Sequence, residues 1–389
     1  MSQLNVNAIR SANGTGDAIS LTAASNTCTA NITNYPHRNL IINGAFQLAQ
    51  RSSSSTSNGY KTVDRFSHYS GGGTTTWSVG TETSGTVWEK GLRKYFRCTN
   101  TANATAAGNY REITYKIENQ DLIDSGWNPA STSSKLTLSF WVRASVAQVY
   151  YGRIRWMGDS ADSNFVFSTG SLTADTWTKV TVSIPGKSGK TLNDGGGSAD
   201  NSSIFQLNWA PFQGTDGTAS GVALNTWNTY SGSDKYPDFT TTWGSTNGAT
   251  FDLTGIQLEV SDYATDFENR SIAQELILCE RYYEKSYDVG TAPGTADRWG
   301  GAYQARDGTA STTIRYYPVQ YRTTKRTSSI TTVFYRPDSG DVGVKIDSNA
   351  NGALHSGVGD KGFMAYSNDT GGSLSHYGIF FQWTAECEL

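Results

Sequence analysis

The feature that most constrains the fold of this 389-residue chain is a series of short segments in which apolar and polar residues alternate. Polar, Gly-rich loops separate these segments. The clearest is "SSKLTLSFWVRAS", where Leu136, Leu138, Phe140 and Val142 alternate with Thr137, Ser139, Trp141 and Arg143. A period of two places successive side chains on opposite faces of a β-strand, so the first set is predicted to face a core. The repeated pattern predicts an all-β chain.

The composition supports this prediction and argues against two classes of function. Aromatic residues make up 12% of the chain and charged residues 17%, with 41 Gly, a balance that favours strands joined by long polar loops. The net charge of −3 provides no overall basic field, so nucleic-acid binding is not expected. The sequence contains no run of about 18 apolar residues, so membrane insertion is not expected either.

The chain is predicted to have four parts. Residues 1–36 form an extended arm, 37–270 a jelly-roll β-sandwich, 271–286 a linker helix and 287–389 a smaller C-terminal β-sandwich domain. The arm's alternating strands carry too little apolar surface to form a core alone, so we expect the arm to serve attachment to a partner or oligomerisation.

The helix prediction rests on "SIAQELILCERYYEKSY". Ser271 as N-cap and Gln274 at the third helical position form a capping box. An apolar stripe is expected to follow at helical spacing, formed by Ile272, Leu276, Cys279 and Tyr283. Cys279 is interpreted as a small core residue, not as a reactive thiol.

Two separated motifs resemble tail-fibre and related appendage proteins of tailed bacteriophages. They are "RNLIINGAFQLAQRSSSS…GYKTVDRF" and "GIQLEVSDYATDFENRSIAQELILCERYYEKSY". The arm "MSQLNVNAIRSANGTGDAISL" is similar to the N-termini of such proteins in phages of cyanobacteria. This resemblance implies a structural virion protein that is assembled in the host cytoplasm. It also implies a homotrimer whose residues 1–36 bind other phage tail or virion proteins.

A second resemblance concerns the central domain. "LIINGAFQ", "LTLSFWVRAS", "TWTKVTVSI" and "FDLTGIQLE" resemble the strands of carbohydrate-binding modules with a jelly-roll fold. This resemblance implies recognition of a glycan, which for a phage appendage is host cell-surface polysaccharide. Such modules often hold a structural calcium ion, for which Asp252 is the candidate ligand here. The oxygen ligands near it are fewer than calcium requires, so neither a metal nor another cofactor is expected.

An aromatic cluster is the predicted glycan site, because sugar rings present C–H faces to aromatic side chains and hydroxyl edges to polar groups. The predicted contact residues are Trp227, Tyr230, Tyr236, Trp243 and, in the last domain, Trp299. The alternative is that such aromatics are buried between copies of a capsid-decoration or tail-adaptor scaffold protein that has no ligand.

Catalysis is not expected. A polysaccharide-degrading tail enzyme is a more remote alternative, since it needs a pair of carboxylates. The candidate pairs lie in polar segments where Asp is a common turn former; they are Asp159 with Asp162 and Asp234 with Asp238. The sequence contains neither of the hydrolase motifs G-x-S-x-G and H-E-x-x-H, and it contains no phosphate-loop motif.

Overall fold

A computed structural model describes most of the chain. The described residues are 8–10, 17–22, 27–30, 37–157, 162–192, 201–298, 300–307, 315–346, 349–352, 355–367 and 377–389. The chain divides into two compact units, Met1–Arg38 and Asn39–Leu389, each of which is described by itself.

The first unit contains a small antiparallel sheet. Its strands are β1 (Ala8–Arg10), β2 (Asp17–Thr22) and β3 (Thr27–Ala30), with β2 in the middle. Ile19 lies opposite Ile9 on one side and Ala30 on the other. The predicted arm therefore pairs its own strands, while its pairing with another copy or a partner stays a prediction.

The described residues at the start of the second unit form twelve strands and three short α-helices. The strands are β4 (Ser54–Ser55), β5 (Phe66–Gly71), β6 (Thr75–Thr81), β7 (Lys94–Asn100), β8 (Tyr110–Ile117), β9 (Lys135–Ala144), β10 (Val149–Trp156), β11 (Ser163–Ser171), β12 (Thr178–Pro185), β13 (Phe205–Gln213), β14 (Trp227–Thr229) and β15 (Thr250–Val260). The helices are α1 (Thr86–Glu89), α2 (Asn119–Ile123) and α3 (Thr242–Ser245).

These strands form a sandwich of two six-stranded sheets. One sheet has the order β14-β11-β10-β13-β8-β5 and the other the order β12-β9-β15-β7-β6-β4. The alternation predicted for β9 is confirmed, because Leu136, Leu138, Phe140 and Val142 are all fully buried in the core between the sheets. The opposite side of β9 therefore forms part of an outer face of the sandwich.

The Asn43–Gly44 turn of the opening motif is fixed by close packing. Asn43 has a φ of +61°, and its side-chain nitrogen donates to the carbonyl oxygens of Leu48 at 2.8 Å and Asp64 at 3.1 Å. A Cβ on Gly44 would lie 2.1 Å from the carbonyl oxygen of Ile256, so only glycine fits against the final strand of the sandwich. The motif that contains Asn43 and Gly44 thus contacts the motif that begins at Gly255.

The helix after the sandwich, α4, spans Ile272–Glu280 and begins with the predicted capping box. It is shorter than the predicted 271–286, because Tyr283–Lys285 forms a strand that pairs with a strand about a hundred residues later. Ile272 is exposed, whereas Glu275 is buried and accepts a hydrogen bond from the Asn43 amide. The predicted apolar stripe is therefore wrong at Ile272, while Cys279 lies in a core as predicted.

The remaining strands build a smaller pair of sheets. They are β16 (Tyr283–Lys285), β17 (Tyr303–Asp307), β18 (Arg315–Gln320), β19 (Thr331–Tyr335), β20 (Val344–Ile346), β21 (Asn349–Gly352), β22 (His355–Gly359), β23 (Gly362–Ser367) and β24 (Tyr377–Glu386). β24 pairs with β16, β17, β19 and β20, whereas β18, β23 and β22 form a separate sheet. Side chains of both sheets, including Phe363 and Phe381, share one core. The all-β prediction is confirmed.

Within the described residues, no helix has the length and the apolar character that crossing a membrane would require.

Candidate functional site

A cavity lies on the outer face of the β12-β9-β15 sheet. It is a groove of about 480 Å³, here called the Trp141 groove. Residues from five parts of the chain line it. They are Glu89, Lys90, Ser139, Trp141, Lys179, Gly255, Asp266, Phe267 and Asn269.

Strand alternation positions the floor of the groove. Ser139 and Trp141 lie on the side of β9 that faces away from the core, and Lys179 of β12 is paired with Trp141 in the sheet register. Gly255 of β15 has a φ of +60°, and a Cβ there would lie 3.2 Å from Cδ1 of Trp141. The glycine thus allows the indole to lie close against the neighbouring strand.

The segment that carries Phe267 is held to the sheet by a buried amide. The Gln257 side chain donates to Thr265 Oγ1 at 3.0 Å and to the Asp266 carbonyl at 3.3 Å, and it accepts from the Glu268 amide at 2.8 Å. Phe267 consequently packs with Trp141 against the same small apolar cluster. Both aromatic side chains are positioned before any ligand arrives.

The rim of the groove carries charges of both signs. Lys90 and Lys179 are exposed cations, and Glu89 and Asp266 are exposed acids. Two aromatic side chains surrounded by donors and acceptors can take a polar ligand that also has an apolar face. The groove has no excess of one charge that would require a strongly ionic ligand.

Asp252 belongs to an ion-pair network beside the groove. This fully buried side chain accepts from Arg97 Nε at 2.7 Å and lies 2.9 Å from Arg143 Nη2. Arg143 also pairs with Glu82 at 2.8 Å and lies over the ring of Trp177. Both carboxylate oxygens face guanidinium groups, so Asp252 serves as a structural ion-pair partner.

Metal-ligating side chains do not gather elsewhere in the described parts of the chain. No group of three or more His, Cys, Asp or Glu side chains is placed there to hold a metal ion.

Two of the predicted glycan contacts are core residues. Trp243 is fully buried, and its ring nitrogen donates to the Thr250 carbonyl at 3.1 Å. Tyr236 is also fully buried; its hydroxyl accepts from Arg153 at 3.2 Å and donates to Glu112 at 3.1 Å. The prediction is corrected for both, because the protein covers the ring faces that a sugar would need.

The other predicted aromatics lie in different surroundings. Trp227 is half-buried on the edge strand β14, and its ring nitrogen donates to the Pro185 carbonyl at 2.8 Å. Tyr230 is half-buried with the Arg155 guanidinium 4.1 Å from its ring centroid. Trp299 lies outside the described residues. Trp227 and Tyr230 stay predicted contacts, near the opposite sheet from the Trp141 groove.

The carboxylates considered as catalytic pairs have different surroundings. Asp162 pairs with Arg155 at 2.5 Å, and Asp159 lies outside the described residues. Asp238 accepts from the Thr218 hydroxyl at 2.7 Å. Asp234 lines a second, smaller cavity.

The sequence indicated that Trp141 lies on an outer face, but it did not indicate which residues lie beside it in the groove. The alternation in β9 already placed Trp141 on the face away from the core. Phe267 follows a loop and Lys179 belongs to another strand, so only the folded chain brings them to Trp141.

No protein-family model matches this chain, and no curated protein sequence is similar to it. Among solved structures, the tailspike protein 4 enzymatically active domain of bacteriophage CBA120 is similar at 11% identity and a TM-score of 0.31. That similarity covers 58% of this chain and only 22% of the tailspike chain.

Two carbohydrate-binding modules are also similar. The family 11 module of a Clostridium thermocellum cellulosomal cellulase shows 15% identity and a TM-score of 0.26, over 54% of this chain and 95% of the module. The CBM22-2 xylan-binding domain of Paenibacillus barcinonensis Xyn10C shows 13% identity and a TM-score of 0.27, over 50% of this chain and 91% of the domain. At these scores the similarities assign no function to this chain.

Proposed function

We propose that this chain is a glycan-binding protein of a phage appendage, and that the Trp141 groove is its sugar site. The observation that carries the proposal is the pairing of Trp141 with Phe267 on an outer sheet face, inside a rim of polar side chains. A pyranose ring offers C–H groups to aromatic side chains and hydroxyls to the surrounding donors and acceptors. The groove supplies both kinds of contact.

The volume and charge of the groove fit such a ligand. About 480 Å³ lies within the range of roughly 300–1,000 Å³ that small-molecule sites occupy, which suits a short stretch of polysaccharide. Lys179 is positively charged and can donate a hydrogen bond to a neutral hydroxyl. Asp266 is negatively charged and can accept one. The sugar is therefore expected to be held by stacking and hydrogen bonds.

The virion role is the finer part of the proposal. It is supported by the resemblance of residues 38–66 and 255–287 to phage appendage proteins and by their contact in the structure. Arg270 donates to the carbonyl oxygens of Asn39 and Ile41, and Asn39 accepts from the Leu258 amide at 3.0 Å. In this proposal residues 1–36 attach a homotrimer to tail or virion proteins, and the remainder faces the host surface.

Several copies on one particle strengthen weak binding. Linked sites raise the overall affinity by roughly two to four orders of magnitude without new contacts. A single groove that binds sugar feebly is therefore sufficient for attachment.

Competition with phage adsorption tests this proposal. Purified full-length protein is added to susceptible cells before the phage, and adsorption is measured. Wild-type protein and Tyr263→Ala, which changes an exposed aromatic outside the groove, are expected to reduce adsorption equally. Trp141→Ala is expected to lose the competition. If intact wild-type protein neither binds the cells nor competes, the receptor role is wrong and the decoration or adaptor role replaces it.

A further inference from the structure

A second cavity of about 250 Å³ lies at the β14 edge of the other sheet. We call it the loop pocket. Asn164 of β11 and its register partner Asn228 of β14 form part of its wall. Its lining is completed by residues 219–223 before β14, by Thr229 and by Asp234 in the loop that follows.

Two acceptors in this lining are buried and unused. Asn164 is only 2% exposed, and its Oδ1 finds no hydrogen-bond donor among the described residues. The same holds for the buried Oδ1 of Asp234. A buried acceptor without a partner destabilises the folded protein, and more so when it is charged. Two of them in one small cavity indicate that a ligand supplies the missing donors.

The orientation of the Asn164 amide is fixed. Its Nδ2 donates to the carbonyl oxygen of Lys235 at 3.0 Å, so its Oδ1 must be the free atom. This bond also ties Asn164 to the residue that follows Asp234. Asn164 and Asp234 both belong to the wall of this cavity.

The loop pocket offers acceptors and a negative charge. The Asn228 amide donates to the carbonyl oxygens of Ala223 and Thr226, so its hydrogens are used within the loop. The lining, over the described residues, contains a carboxylate but neither Lys nor Arg. A ligand that fits must bring hydrogen-bond donors and is favoured if it brings positive charge.

We propose that the loop pocket binds a primary ammonium group, carried by an amino sugar. An ammonium group has three donors and no acceptor, which complements Asn164 Oδ1 and Asp234 Oδ1. Its bond to a carboxylate is charge-assisted and about twice as strong as a neutral one. The cavity is smaller than the usual site for a drug-sized ligand, so it takes the charged group and one sugar ring.

The loop pocket fits an ammonium group better than a calcium ion or a neutral sugar. A calcium ion requires six to eight oxygen ligands, whereas the lining supplies a single carboxylate. A neutral sugar would supply donors but would leave the charge of Asp234 uncompensated. That the ammonium is carried by a sugar rests on the proposed glycan-binding function; that the pocket takes an ammonium group does not.

The test uses glucosamine, glucose and N-acetylglucosamine as matched probes. Full-length protein labelled with ¹⁵N-asparagine is titrated with each sugar, and the side-chain amide signals of Asn164 and Asn228 are followed by NMR. Glucosamine is expected to shift both signals to saturation, while the two uncharged sugars leave them in place at the same concentrations.

Substitutions assign the response to the pocket. Asp234→Asn is expected to weaken glucosamine binding by about tenfold, because a charge-assisted bond becomes a neutral one. Asp238→Asn, which changes a nearby aspartate outside the lining, is the matched control and should bind as the wild type does. Equal shifts with glucose, an unchanged affinity in Asp234→Asn, or a response to Ca²⁺ in place of glucosamine would each overturn the proposal.

The Trp141→Ala variant separates this proposal from the proposed function. It should bind glucosamine at the loop pocket as the wild type does, because the Trp141 groove lies on the other sheet. If that variant keeps its glucosamine response while wild-type protein binds no host polysaccharide, the loop pocket stands and the glycan function of the groove is wrong.

Discussion

Glu388 forms an ion pair with Arg51, with 3.1 Å between Oε1 and Nη2, and both side chains are buried. The other oxygen of Glu388 bonds the buried guanidinium of Arg65, which lies 3.4 Å from the ring centroid of Tyr282. Both arginines belong to the larger sandwich, while Glu388 follows β24 of the smaller pair of sheets. The Glu388 carboxylate thus links the two parts of the 39–389 unit.

Removal of this charge should destabilise the protein strongly. We expect Glu388→Gln to lower the free energy of unfolding by about 3–5 kcal/mol, because it leaves two buried guanidinium groups short of an anion. Glu386→Gln is the matched control, since Glu386 also pairs with Arg51 but its side chain is 40% exposed. Its cost should stay below about 1 kcal/mol in denaturant unfolding. Equal costs for the two variants would contradict this account of the joint.

The role assigned to Asp252 gives a second prediction. Asp252→Asn should lower stability by about 3 kcal/mol, because Arg97 and Arg143 lose a buried anion. The loss should be the same in calcium and in a chelator, as measured by thermal unfolding. Asp262→Asn, whose side chain is 73% exposed and pairs with Lys135, should change the melting temperature little. A calcium-dependent melting temperature that Asp252→Asn abolishes would show instead that Asp252 binds calcium.

Tyr236 is predicted to contribute to stability and not to sugar binding. Tyr236→Phe removes the hydroxyl that links Arg153 to Glu112, which should cost about 1–3 kcal/mol of unfolding free energy. Polysaccharide binding should be unchanged. Tyr263→Phe, at an exposed position, should change neither quantity. Loss of binding at unchanged stability in Tyr236→Phe would show that the buried tyrosine is a ligand contact after all.

Asp64 gives a pH-dependent prediction. Burial raises the pKa of Asp64 to about 6, against the opposing effects of Arg51 and Gln50. A raised folded-state pKa favours the folded protein below the unfolded value near 3.8, and this contribution is lost as the pH rises through about 6. The unfolding free energy of the wild type should therefore fall by roughly 2–3 kcal/mol between pH 4 and pH 7, relative to Asp64→Asn. Parallel profiles for the two proteins would show that Asp64 keeps its ordinary pKa.

Local pattern predicted what lies on each face of a strand, since burial there follows a period of two. Leu138 is buried and Trp141 lines the groove, as the alternation in β9 requires. The all-β fold and the start of α4 were predictable for the same reason, because each depends on residues that are near in sequence.

The features that were not predicted depend on contacts between residues that are distant in sequence. Trp243 was predicted to contact a glycan but is buried, and its backbone amide donates to Gln148, 95 positions away. Helix α4 ends early because Tyr283 pairs with Glu386 in a sheet. The partners of Asp252 come from two other strands, so its sequence neighbours could not reveal them.

The most direct test of the central claim measures binding of host-surface polysaccharide by affinity gel electrophoresis. Wild-type protein, Trp141→Ala, Lys179→Ala and the control Tyr263→Ala are run with and without extracted polysaccharide in the gel, after equal thermal stability has been checked. The account predicts retardation of the wild type and of Tyr263→Ala, at least tenfold weaker retardation of Trp141→Ala, and a smaller loss for Lys179→Ala. Equal retardation of Trp141→Ala and the wild type would contradict the claim that the Trp141 groove is the glycan site.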